Sequence, residues 1–256
     1  MPCPPNGFGS GTMKSIAVYS LKGGVGKTSL AVNLALAAAT RSARKTLLWD
    51  LDGQAAASFM LGVEGKGSEE AEAMFTGDLP ASKLIRSTPV ARLDLLPADK
   101  SLRRLDRVFF DIGKKKRLEK LIDRIGKDYD RVILDCPPGF AETSEQVMRG
   151  ADLIIVPVIP SPLARRAFEE VTDYLDSHSV PARAILPVFN MVDRRRSLHR
   201  QAIAENPKWP VVPMASAIES LAGQGAAPSG PVASSAAGAA LASLWTLVEK
   251  RLAGLK

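Results

Sequence analysis

Cysteine is nearly absent from this chain: Cys3 lies in a Pro- and Gly-rich leading stretch and Cys136 directly follows an apolar run. That excludes a disulfide framework and a Cys-rich metal site, and it suits a reducing cytoplasm. Histidine is equally scarce, and neither His178 nor His199 stands in a motif that would pair it with Cys136. Cys136 therefore reads as a small buried residue rather than a nucleophile. No apolar run reaches the roughly 18 residues needed to span a bilayer, since the most apolar stretch, Leu153 to Ile159, is short and interrupted by Pro157. The opening MPCPPNGFGSGT has neither a basic n-region nor an apolar h-region, so residues 1–12 read as a disordered lead-in, with Met13 as a natural start.

What remains is a chain of 256 residues, 46% hydrophobic and 24% charged, which has material for one α/β domain over 13–256 and shows no internal repeat. Its net charge of +7 favours an acidic partner, either nucleic acid or an anionic membrane. Short apolar runs at Ser15 to Ser20, Lys45 to Asp50, Arg131 to Asp135, Asp152 to Pro157 and Ala182 to Phe189 predict strands. They alternate with helical patterns at Ser29 to Thr40, Leu118 to Gly126, Ala141 to Gly150, Leu163 to Ser177 and Ala233 to Leu255. Alternation of this kind, with strands apolar on both faces, predicts a doubly wound, mostly parallel sheet flanked by helices. Leu84 to Ser87 and Arg92 to Leu96 are assigned to an added antiparallel edge.

The first strand is followed by Leu21-Lys22-Gly23-Gly24-Val25-Gly26-Lys27-Thr28-Ser29 and then by the helical LAVNLALAAA. A strand, a glycine loop and a helix N-terminus form a phosphate cradle: glycines permit the tight turn, and backbone N–H groups with the helix dipole face the anion. Lys27 can reach the β- and γ-phosphates and Thr28 can ligate Mg²⁺. Leu21 stands where the general pattern G-x-x-x-x-G-K-[ST] requires glycine, so the fit is to the more restrictive K-G-G-x-G-K-T. A plain glycine turn is the competing reading.

This variant, with its following N-L-A helix, resembles the deviant Walker A motif of the ParA/MinD ATPases, and the resemblance runs from about Lys14 to Pro228. It implies a P-loop NTPase fold, ATP and Mg²⁺ as cofactors, and an ATP-sandwich homodimer in which Lys22 crosses to the partner's nucleotide. Lys22, Lys27 and Asp52 become the catalytic candidates. Gly23, Gly24, Val25, Gly26, Lys27, Thr28 and Ser29 become the nucleotide loop.

Further along, Asp50-Leu51-Asp52-Gly53-Gln54 resembles the family's switch I segment D-x-D-P-Q, which implies that Asp52 positions the attacking water. Gly53 replaces the usual proline and loosens that turn. Arg131 to Asp135 with Cys136-Pro137-Pro138 resembles the family's Walker B, placing Asp135 with Thr28 in the metal shell. Carboxylates at strand C-termini face the ligand crevice of open α/β sheets, which agrees with that placement. Asn190 in Phe189-Asn190-Met191-Val192-Asp193 resembles the adenine-contacting position, its amide offering both donor and acceptor; turn chemistry at a strand end is the alternative. Pro213, in Val212-Pro213-Met214, and the later Gly225-Ala226-Ala227-Pro228 resemble the loop over the base.

Basic residues gather at Lys114 to Arg117, at Arg165 and Arg166, and at Arg194, Arg195 and Arg196 with Arg200. The resemblance implies nonspecific DNA binding through the arginines of the last two groups, by phosphate contacts that carry no sequence information. It also implies a ParB-like or other adaptor that stimulates hydrolysis, and a cytoplasmic, nucleoid-associated role in placing a plasmid, chromosome region or protein cargo. Solvated helix faces would explain the same charges. No helix-turn-helix is expected ahead of the P-loop. The alternative is a MinD-like membrane role, with Leu244 to Leu252 as an amphipathic anchor, although Leu241, Leu244, Leu247, Val248 and Leu252 also make a core stripe. An iron–sulfur carrier lacks its cysteines, and a dethiobiotin synthetase-like ligase usually lacks the leading lysine.

Overall fold

The computed structural model describes residues 12–63, 70–104, 117–139, 142–177, 185–216 and 235–255. Strands β1 (Lys14–Val18), β2 (Thr46–Asp50), β3 (Arg86–Ser87), β4 (Leu93–Leu96), β5 (Arg131–Asp135), β6 (Leu153–Val158), β7 (Ile185–Val192) and β8 (Val211–Pro213) form one sheet in the order β3-β4-β2-β5-β1-β6-β7-β8. Every neighbouring pair is parallel except β3 with β4, which is the antiparallel edge that the sequence predicts. Connecting helices are α1 (Lys27–Arg41), α2 (Ala56–Met60), α3 (Glu70–Thr76), α4 (Arg117–Ile125), α5 (Glu142–Gly150), α6 (Pro162–Ser177), α7 (Ser197–Glu205) and α8 (Ala236–Gly254).

Successive residues of a strand point to opposite faces, and both faces here are apolar because both are covered. Ile16, Val18, Leu48, Ile133, Ile155 and Val188 point toward α1 and α8. Ala17, Leu47, Trp49, Val132, Leu134, Ile154 and Val156 meet the helices of the other face, where Trp49 stacks on Phe75 of α3 at 5.8 Å. The first strand stops at Val18 instead of Ser20, because the phosphate loop begins to turn there, and α1 starts two residues early, at Lys27.

The C-terminal helix is committed to the core. Leu241, Leu244, Trp245, Val248 and Leu252 are buried among the α1-side cluster. Burial of each such side chain contributes roughly 1.5–3 kcal/mol. Ser235 caps the helix by accepting from the Gly238 N–H at 3.0 Å, and the Trp245 indole N–H donates to Ser42 Oγ at 2.8 Å. Glu249 receives two bonds from the buried Arg131 guanidinium, at 2.7 and 2.9 Å, which fixes the helix to the start of β5. Among the described residues no helix is long and apolar enough to cross a membrane.

Candidate active site

The site forms where β1, β2 and β5 end side by side. Parallel pairing sets Val18 and Asp50 each level with Asp135, so the loop after β1 and two strand-terminal carboxylates share one edge. The chain leaves β1 through Ser20-Leu21-Lys22 and turns at Gly24 and Gly26, whose φ values of +72° and +82° are left-handed conformations that side-chain-bearing residues rarely adopt. Gly26 also caps α1, its carbonyl accepting from the Leu30 N–H at 3.0 Å.

Lys27 is buried at the first turn of α1, and its ammonium donates to the Lys22 carbonyl at 3.2 Å. Burial lowers its pKa, while the negative groups at Asp135 and Asp52 oppose that drop. Thr28 and Ser29 follow, half-buried, and Lys22 and the exposed Gly23 and Gly24 form the outer lip of the loop beside the buried Val25.

Asp135 is fully buried, yet neither of its carboxylate oxygens has a hydrogen-bond partner. Burial raises its pKa well above the usual carboxylate range, and the charge of Asp50 adds to the rise. The Thr28 hydroxyl lies near enough to oppose it but falls short of hydrogen-bond geometry. An orphaned, buried carboxylate beside a threonine hydroxyl suits a hydrated Mg²⁺, which would supply the missing donors and compensate the charge. No three His, Cys, Asp or Glu side chains converge among the described residues, so such an ion also needs phosphate oxygens.

Asp50, which sequence reasoning passed over in favour of Asp52, is the second buried carboxylate. It accepts from the Ser58 N–H at 2.9 Å and the Ser58 hydroxyl at 2.8 Å, joining β2 to α2. Burial pushes its pKa up to about 6 against those bonds. Its place in Asp50-Leu51-Asp52 was the available signal, but the register that sets it against Asp135 lies outside any motif. Asp52 itself is half-buried in a closed turn: its Oδ1 accepts from the Gln54 N–H at 2.9 Å, and its carbonyl accepts from the Ala55 N–H at 2.8 Å. Those two bonds hold the turn that Gly53, in place of proline, was expected to loosen.

On the α1 side of β7, Asn190 is buried and donates through Nδ2 to the Val25 carbonyl at 2.8 Å. Gly26, Leu30, Asn190, Met191, Pro213 and Met214 wall a cavity of about 60 Å³ beside the phosphate loop. Asn190 and Pro213 are therefore brought to one pocket. The 225–228 segment lies outside the described residues.

All six candidate arginines are exposed on α6, on the β7–α7 turn or on α7. Arg165 pairs with Glu169 at 3.1 Å and Glu205 at 3.2 Å, which brings α6 and α7 together, and Arg166 pairs with Glu170 at 3.1 Å. Arg195 is held by Asp193, whose carboxyl the side-chain and backbone hydrogen bonds from Arg195 bring down to about 2. Arg200 donates to the carbonyls of Arg194 and Arg195, bracing the turn, and buried His199 accepts the Asp193 N–H at 3.0 Å. Among the described residues, no carboxylate pairs with Arg194, Arg196 or Arg200. Of the first basic group, residues 114–116 lie outside the described residues.

A family model described as an AAA domain matches residues 13–182. A Chlamydia muridarum ParA family protein is 31% identical over 170 residues, covering 65% of this chain and 67% of that protein. The chain belongs to the ParA/MinD family of P-loop ATPases. Solved structures repeat the fold of this ParA/MinD ATPase: an alanine variant of Cyanothece McdA in complex with ATP superposes with a TM-score of 0.78 at 20% identity, covering 96% of this chain and 98% of that one. The septum site-determining protein MinD of Pyrococcus horikoshii OT3, complexed with Mg-ADP, gives 0.77 at 23%, covering 93% and 96%. As a member of this family, the ATPase hydrolyses ATP.

Proposed function

We propose that residues 13–256 act as one ATPase unit that dimerises around ATP, binds DNA without reading sequence, and lets go after hydrolysis, thereby segregating or positioning a cargo. The observation that carries the catalytic half is the orphaned Asp135 carboxylate beside Lys27 and Thr28 at the end of the glycine loop. In this reading Lys27 leaves the Lys22 carbonyl for the β- and γ-phosphates, and Thr28 and Asp135 would hold Mg²⁺. Mg²⁺ would neutralise charge that develops on the phosphate oxygens. Asp52 positions the attacking water, Asn190 and Pro213 hold the base, and Lys22 reaches a second subunit's triphosphate. The two lysines offset charge that one alone leaves uncompensated.

The DNA half rests on the exposed arginine turn, where Arg194, Arg196 and Arg200 have no carboxylate partner among the described residues. Phosphate contacts of this type release counterions and weaken steeply with salt. A cytoplasmic, nucleoid-associated protein with an adaptor that stimulates turnover fits these features. The apolar stripe of α8 is spent in the core, which weighs against its use as a membrane anchor. The deciding experiment is fluorescence anisotropy of a random-sequence duplex titrated with Asp52→Ala protein, in ATP and in ADP, at two salt concentrations. Tight, salt-sensitive binding in ATP alone is expected; equal binding with both nucleotides, or none, defeats the reading.

A further inference from the structure

The hydrogen bond from Asn190 to the phosphate loop gives that residue a role separate from any contact with a base. We propose that Asn190 is a positioning residue for the triphosphate, holding the Val25–Gly26 peptide in its phosphate-binding orientation. The inference rests on the reading that the glycine loop takes the phosphates.

Three observations carry it. First, Asn190 Nδ2 lies 2.8 Å from the Val25 carbonyl oxygen in a buried setting, where an amide that found no partner would be costly. A trans peptide is planar, with its carbonyl and the following N–H pointing in opposite directions. Drawing the Val25 carbonyl toward Asn190 therefore aims the Gly26 N–H the other way, toward the concave side of the loop.

Second, a Cβ built on Gly26 would lie 2.5 Å from Asn190 Nδ2. The loop and the amide are in full contact, so glycine is required there both by its φ of +82° and by the space that Asn190 fills.

Third, β7 departs from regular geometry at this point. Met191 has a φ of +55°, and the β7–β8 register shifts between Phe189 and Val192. Phe189 is buried on the α6 side of the sheet, whereas the next residue, Asn190, reaches the loop after β1. A strand that adopts an unfavourable backbone beside a binding loop is a common mark of a functional constraint.

The experiment separates the phosphate from the base by using Mg-tripolyphosphate, which has no base, alongside Mg-ATP, each titrated calorimetrically into wild type, Asn190→Ala and Lys27→Ala. Loss of this loop-holding bond should weaken tripolyphosphate roughly 5-fold in Asn190→Ala, and ATP by at least the same factor. The Gly26 amide NMR shift produced by tripolyphosphate in wild type should shrink in the variant, while the ligand-free protein still melts cooperatively, a few degrees lower, as loss of one buried hydrogen bond requires. Wild-type tripolyphosphate affinity and Gly26 shift in Asn190→Ala, with ATP alone weakened, would overturn the proposal by confining Asn190 to the base. Should Asn190→Ala fail to melt cooperatively, Asn190→Asp takes its place: it keeps the shape but sets a carboxylate oxygen against the Val25 carbonyl, and the same losses are expected. Failure of wild type to bind tripolyphosphate, or binding undiminished in Lys27→Ala, would instead remove the phosphate-site reading, and this proposal with it.

Discussion

Replacing Glu249 by alanine tests whether the last helix is structural or detachable. Arg131 is 6% exposed and gives two bonds to the Glu249 carboxylate, which also lies 3.4 Å from the Arg44 guanidinium. Removing one partner of a buried pair leaves the other charge uncompensated and costs about 3–5 kcal/mol. The Glu249 side chain keeps 21% of its surface in water, so the lower end, about 3 kcal/mol, applies. In a chain of this size each kcal/mol moves the melting temperature by about 2–4 °C, so a fall of about 6–12 °C is expected by circular dichroism. Because most of that cost is the stranded guanidinium, the double variant Arg131→Leu with Glu249→Leu should recover much of the loss. The same preparations, floated with anionic liposomes in ATP, should leave wild-type protein unbound. A fall under about 2 °C for Glu249→Ala, or ATP-dependent flotation of wild type, would refute the view that α8 is fixed in the core.

Three further outcomes are expected. Arg194→Glu with Arg196→Glu should reduce DNA affinity and flatten the log–log salt dependence by about one per lost phosphate contact, whereas Arg166→Glu, already paired with Glu170, should do less; equal effects in anisotropy would discount the pairing argument. Lys22→Ala should abolish the ATP-dependent dimer in light scattering while Asp52→Ala accumulates it, and a stable ATP dimer of Lys22→Ala would remove that lysine from the interface. Asp50 holds its proton up to about pH 6 when folded, against 3.8 ordinarily, so below about pH 4 both folded and unfolded forms keep it and nothing is lost. Between pH 4 and 6 the unfolded chain ionises first, and the nucleotide-free protein should lose up to about 3 kcal/mol before levelling off. Urea unfolding across that range should show a smaller decline for Asp50→Asn, and an identical decline would exclude Asp50 as its source.

The phosphate loop was legible because its chemistry demands particular residue types at fixed spacing, and the same holds for an aspartate at the end of an apolar strand. The parallel sheet and its antiparallel edge could be read from apolar runs and from the helical patterns between them. Long-range pairing could not. Asp50 became part of the site only once β2 and β5 were in register, and the partner of Asn190 is a backbone carbonyl 165 residues away. The C-terminal stripe favoured a core but left a membrane surface open until Trp245 and Glu249 found Ser42 and Arg131. The quenching of Arg165 and Arg166 was within reach of the sequence, since Glu169 and Glu170 stand four residues on, where helical ion pairs form.

The sheet ends at one margin in the two-residue β3 and at the other in the three-residue β8, which closes on Pro213, a residue without an N–H to offer. Margins this short present almost no ladder for another chain to extend. Strand-by-strand growth from the described margins is thus disfavoured, and the proposed dimer would instead join copies through side chains and bound nucleotide. Such contacts can be undone by hydrolysis, as a continuous sheet between subunits could not.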